Sequence, residues 1–244
     1  MFESEVLRLG PFQLPLSWLA GILWIWVGAK LAQTGISGLK GQGFSGHALE
    51  ASFIYLVVWK WSPVLFDPLS YLRNPAALLF ASGSDKGVGV ALVVAGMYLF
   101  LVYRKKKGSL PLWLDAGAIT GIIAFGGYSL LFARWGEITD LPWGWSAEGG
   151  QNRYHPIHIY RVFLFAAAGW WWWRWRRQLE EGQTFAWLAI VTGTGLLLIS
   201  LMDYFPLRTA WGLSWSQTTY ACLALVGVTY LTTGNGERRR SAKE

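Results

Sequence analysis

The sequence predicts an all-α integral membrane protein: seven transmembrane helices, N-terminus outside and C-terminus inside, with a small extracytoplasmic cap of loops. Three observations predict it. The 244 residues are 53% hydrophobic and only 14% charged, whereas soluble domains carry about 25% charged residues. Apolar runs close to the ~20 residues that cross a bilayer recur along the chain. Lys and Arg gather in alternate connections between those runs. The same composition excludes disorder, which requires few apolar residues and many charges. The net charge of +7 sits in short clusters between apolar runs and not on one face, so nucleic acid is excluded as a partner. A single cysteine, Cys222, excludes an intrachain disulfide framework and a multi-cysteine metal site.

The runs fall at 12–32, 48–65, 87–103, 112–133, 157–173, 185–201 and 218–231. The first is preceded by Glu3 and Glu5, not by the basic region of a cleavable signal peptide. The second is interrupted by Glu50 and Lys60. The fifth reaches full length only if His158, Tyr160 and Arg161 belong to its first turns. Seven helices with short connections use up the chain, so 1–244 is read as one transmembrane domain. With the N-terminus outside, the inner connections hold Lys40, Arg104 to Lys107, Arg174, Arg176, Arg177, Arg238 to Arg240 and Lys243. The outer segments hold Arg8, Arg73, Lys86, Arg134, Arg153 and Arg208, half as many in longer stretches. That bias sets the orientation. Trp170 to Trp173 and Trp175 precede an inner basic cluster, where an interfacial aromatic belt is expected.

Chemistry is expected on the outer side, where 134–155 carries Glu137, Asp140, Glu148, Gln151, Asn152 and Arg153. His155 and His158 lie three apart at the start of the fifth span, on one helix face. No Cys or Glu at ligand spacing completes a metal set, so no metal site is expected. Proton handling and the fixing of a helix start both remain open for this pair. Among charged residues in or beside spans, Lys30 and Lys60 can snorkel to headgroups. Asp115 and Glu50 occupy early-turn positions that complement a helix dipole. Lys86, Arg134, Arg161 and Asp203 remain at the outer edge, where basic side chains suit either a phospholipid phosphate or plain interfacial anchoring. No Gly-rich phosphate loop, nucleophile elbow or zinc-protease motif occurs, so hydrolase and zinc-protease readings lack support. Gly87, Gly89, Gly126 and Gly127, inside apolar runs, are read as sites of close helix packing.

Four segments, in order, carry a resemblance. They are Leu9-Gly-Pro-Phe-Gln-Leu-Pro-Leu-Ser-Trp18, Trp135-Gly-Glu-Ile-Thr-Asp-Leu-Pro-Trp-Gly144, His155-Pro-Ile-His-Ile-Tyr160 and Gly212-Leu-Ser-Trp-Ser-Gln217. Together they resemble the bacterial prolipoprotein diacylglyceryl transferases. These are seven-helix, N-out proteins of the cytoplasmic membrane that move a diacylglyceryl group from phosphatidylglycerol to a lipobox cysteine and release glycerol phosphate. The departures fall at the family's functional positions. Its Gly-Arg-x-Gly-Asn-Phe-x-Asn-Gly-Glu signature corresponds to 124–133, with Phe125 for the arginine, Tyr128 for the first asparagine and Ala133 for the glutamate. Lys86 replaces its histidine, Arg161 replaces the glutamate after its Leu-Tyr, and Asp203 stands for the carboxylate of its Arg-x-x-x-Glu-Phe.

The resemblance implies a phosphatidylglycerol-like phospholipid as ligand, a lipoprotein precursor as partner and no cofactor. In a rebuilt site Lys86, Arg134, Arg161, His155 and Tyr160 would bind substrate. His158 would take the proton of an acceptor thiol whose unperturbed pKa is about 8.5, oriented by Asp203. The rival expectation is a non-catalytic relative, a pseudoenzyme that binds phospholipid or another membrane protein through the same cavity, as a subunit of a larger complex.

Overall fold

The structure, a computed structural model, describes residues 6–9, 12–74, 77, 83–106, 109–146, 152–204 and 212–241. Glu3, Glu5, Gly10, Pro11, Lys107, Glu148, Gln151, Arg208 and Lys243, named above, lie outside them. The molecule is mostly helical. Strands β1 (Val6–Leu9) and β2 (Phe12–Pro15) pair antiparallel before α1 (Leu16–Gly35). A short 3₁₀ turn, Ser37–Leu39, leads to α2 (Phe44–Phe66) and a six-residue α3 (Pro68–Arg73). Helices α4 (Asp85–Lys106) and α5 (Leu110–Leu131) follow. Then come β3 (Trp135–Ile138), β4 (Trp145–Ser146), β5 (Arg153–Pro156), α6 (Ile157–Trp175), α7 (Gln183–Ser200) and α8 (Trp215–Ser241).

Two expectations about secondary structure need correction. Residues 12–15 of the first apolar run form a strand and not helix, with Pro15 capping α1. The 134–155 segment is not a simple loop: its strands form an antiparallel sheet in the order β3-β5-β4. Strands this short, with a register shift between Trp135 and Ile138, leave no alternation long enough to read.

Five helices, α1, α2, α4, α5 and α7, are long and apolar enough to cross a membrane. Their exposed sides fit that environment. On α2, Phe53, Val57, Trp61 and Leu65, four apart, are each more than half exposed. On α4 the same holds for Leu92, Val93, Met97, Phe100 and Leu101. A water-soluble monomer rarely leaves apolar surface of that extent uncovered.

The interior is held by small residues that let backbones approach, as expected where lipid offers no hydrophobic driving force between helices. Helices α1 and α5 meet through Ala29, Ala32, Ala116 and Ile119, all fully buried. At Gly28 an added Cβ would sit 2.9 Å from the Thr120 carbonyl oxygen. Gly126 and Gly127 pack against Phe165 and Trp24, and Gly87 against Ser62; Gly89 has open space beside it. Trp172 is buried in the core beside Gly35, whereas Trp170 and Trp173 are exposed. The tryptophan run is thus part belt and part core.

One end of the bundle is tied by polar groups the sequence did not pair. Asp115, 4% exposed, accepts from the Gly182 and Phe185 N–H groups at 2.7 and 2.6 Å. It therefore caps α7 and does not serve its own helix's dipole, which corrects the early-turn reading. Glu50 bonds the Tyr98 hydroxyl and lies 3.0 Å from His47 Nδ1, bridging α2 to α4.

Candidate functional site

At the opposite end, the last turn of α5, the start of α6 and the end of α7 converge. The sheet is fastened there by Glu137 N–H donating to the Met202 carbonyl at 3.0 Å. That approach requires glycine at 136, because an added Cβ would lie 2.8 Å from Ile157 Cδ1 and still closer to the Met202 carbonyl. Met202 precedes Asp203, so the same contact sets the height of the Asp203 carboxylate.

Asp203 is buried, its side chain 1% exposed. It receives Arg134 Nε at 2.9 Å and Arg161 Nη2 at 3.2 Å on Oδ2. A carboxylate withdrawn from water is tolerated when paired and hydrogen-bonded, and here two guanidiniums do so. Arg161 Nε is also buried, with no hydrogen-bond partner among the described residues. A buried donor without a partner costs about 1–3 kcal/mol, so the site holds binding capacity that the protein's own groups leave unused.

Arg161 lines a cavity of about 390 Å³, whose other walls include Phe125, Tyr128, Phe165, Leu188 and Tyr220. A second cavity of about 660 Å³ lies on the other side of α5, between α1, α2, α4 and α5. Gly121, Phe125 and Tyr128 line both. Both volumes fall within the roughly 300–1,000 Å³ range of ligand pockets. The arrangement offers a cationic mouth on an apolar chamber, able to hold an amphiphile with an anionic head.

His158 lies beside this mouth. Its Nδ1 is 3.2 Å from the Arg134 N–H and 3.1 Å from the Arg134 carbonyl oxygen. In either tautomer the Arg134 backbone holds the ring, with Trp135 edge-on at 5.4 Å. Nε2 stays outside that contact. Asp203 bonds the two arginines and makes no hydrogen bond to His158 among the described residues. His155 and Tyr160 form a separate chain: Trp143 Nε1–H donates to the Tyr160 hydroxyl at 3.1 Å, which lies 3.1 Å from His155 Nδ1. Lys86, at the start of α4, is exposed and lines neither cavity.

The structure thus brings together Arg134, Arg161, Asp203 and His158 of the expected site, sets His155 and Tyr160 beside them, and leaves Lys86 apart. Sequence reasoning treated Phe125 and Tyr128 only as lost signature residues; they are walls of both cavities. Nothing in a local pattern marks a residue that faces two chambers at once.

No protein-family model matches the chain. The chain is similar to a phosphatidylglycerol–prolipoprotein diacylglyceryl transferase from Mannheimia succiniciproducens, 25% identical over 193 residues, with 69% of each chain covered.

Proposed function

We propose that this chain is a seven-span protein of the bacterial cytoplasmic membrane, N-terminus outside, that binds a phosphatidylglycerol-like phospholipid and transfers its diacylglyceryl group to the thiol of a lipoprotein precursor. One observation carries the reading. Arg161 and Phe125 line the same cavity. Where the resembling family has arginine this chain has phenylalanine, and where the family has glutamate it has Arg161. A cation removed from α5 is restored from α6 on the wall of one chamber, which keeps a phosphate partner at the mouth.

In this mechanism the acyl chains occupy the apolar cavity, and the phosphodiester lies on Arg161 Nε and Arg134, in charge-assisted hydrogen bonds. Asp203 is a positioning residue that keeps both guanidiniums in place. The thiol sulfur attacks the sn-3 carbon of the diacylglyceryl group. A C–S bond forms, the C–O bond breaks, and glycerol phosphate leaves with the electron pair. His158 Nε2 takes the thiol proton as general base. The arginines stabilise the charge that develops on the departing phosphate.

The test is restoration of lipoprotein maturation in cells depleted of their own transferase, read as the mass gain of a diacylglyceryl thioether on a lipoprotein. Restoration is the expected result. A chain that retains phosphatidylglycerol yet transfers nothing would be the non-catalytic relative, a reading that the replaced signature residues Phe125, Tyr128 and Ala133 favour.

A further inference from the structure

We infer that Asp203 is the specificity-determining residue of the anion site: by setting the mouth's charge, it selects a singly charged phosphodiester over a doubly charged phosphomonoester. The inference rests on the phospholipid reading above and extends it to the class of headgroup.

The mouth contains two guanidiniums and a buried carboxylate bonded to both. Arg161, with 18% of its side chain exposed, lines the apolar cavity, and its Nε is the donor left for an incoming anion. That anion therefore settles beside a carboxylate it cannot displace into water, because Asp203 is enclosed. Two energies scale differently with ligand charge. Attraction to the site rises in proportion to the charge, whereas the cost of leaving water rises with its square. A weakly cationic mouth thus favours the monoanion, whose dehydration is cheaper. A more strongly cationic mouth favours the dianion. A phosphomonoester headgroup carries about −1.5 to −2 at neutral pH, and a phosphodiester carries a single negative charge. Asp203 removes one positive unit from the balance and shifts it toward the phosphodiester. Lys86, exposed and off both cavities, does not enter this balance.

The experiment incubates the purified protein with phosphatidylcholine vesicles carrying equal amounts of phosphatidylglycerol and phosphatidic acid. It then measures the retained lipids by mass spectrometry. The wild-type chain is expected to retain phosphatidylglycerol in excess over phosphatidic acid. Asp203→Asn should move the ratio toward phosphatidic acid by roughly tenfold or more, the size that one charge at contact range produces in a partly screened site. Asp203→Glu should keep the wild-type ratio. Because Asp203→Asn leaves two guanidiniums without their carboxylate and can fail to fold, Arg134→Gln supplies the opposite arm. It lowers the site charge by one at a half-exposed side chain and should reduce retention of phosphatidic acid more than that of phosphatidylglycerol. A ratio that stays fixed in Asp203→Asn or Arg134→Gln, with phosphatidylglycerol still enriched, overturns the role of Asp203 and leaves the phospholipid reading standing. Enrichment of neither anionic lipid over phosphatidylcholine by the wild-type chain overturns both.

Discussion

At the residue scale, Arg161 and His158 divide binding from chemistry. Arg161 reaches the cavity and holds the unused donor, so Arg161→Ala should abolish selective retention of phosphatidylglycerol. The loss of a charged hydrogen-bond partner inside a partly buried site typically costs 1.5–3 kcal/mol, or about tenfold to a hundredfold in affinity. His158 lies off the cavity wall, fixed by the backbone of Arg134. His158→Ala should therefore leave lipid retention largely intact and lower turnover by roughly 10²-fold or more, the usual contribution of a general base. Unchanged turnover would eliminate His158 as the base, and lost lipid retention would show that its work is structural. The types of these residues were legible in the sequence, since costly charges at a membrane edge mark function or anchoring. Their partners were not. Asp203 meets Arg161 across 42 positions and Arg134 across 69, and only packed helices decide such a pairing. The same limit hid the bond from Asp115 to Gly182 and Phe185.

Apolar length at the element scale made the helices legible, while their edges depended on local chemistry. Each expected run contains a helix, yet 12–15 is strand and α2 begins at Phe44, four residues before its run. Helix α6 is polar at both ends. It carries His158, Arg161 and Arg174, and it is not among the five helices that are apolar enough throughout. Arg161, however, is turned to Asp203 inside the protein, while Phe163 is 70% exposed. A charge turned into the protein beside an apolar side chain turned out of it is what is expected where lipid is the solvent, and the exposed Arg174 stands at the helix's basic end. Helix α7 depends on its neighbour at its start, where no side chain of its own supplies a cap. Asp115 does so from α5. Asp115→Ala should lower stability by about 1–3 kcal/mol by orphaning one buried and one partly buried N–H group, seen as a lower unfolding temperature in detergent. Asp115→Asn has one acceptor oxygen for two donors and should fall between the wild type and Asp115→Ala. A melting temperature unchanged in Asp115→Ala would show that α7 does not rely on this cap.

For the molecule as a whole, the two ends of the bundle differ in kind, and that difference argues its orientation. The site end gathers Arg134, Arg161, Asp203 and His158 around a chamber and carries the β-sheet. At the other end α4 finishes in Arg104, Lys105 and Lys106. There α6 finishes beside Arg174 and Arg176, with the Arg176 guanidinium 3.7 Å from the centre of the Trp173 ring. A basic end with aromatic anchors is what the positive-inside rule associates with a cytoplasmic face. Helix α8 runs 27 residues from Trp215 to Ser241, about 40 Å at 1.5 Å per residue, longer than the ~30 Å hydrocarbon layer. Starting at the site end, it is long enough to reach the basic end. The topology we propose puts the site outside and the C-terminus inside. A fluorescent protein fused after Glu244 should therefore fluoresce, and an alkaline phosphatase fused at the same point should stay inactive because it folds only on the outer side. Active phosphatase at that point would invert the bundle. It would place Arg134, Arg161 and His158 on the cytoplasmic side, away from precursors delivered to the outer surface, and the transferase reading would fall with the topology.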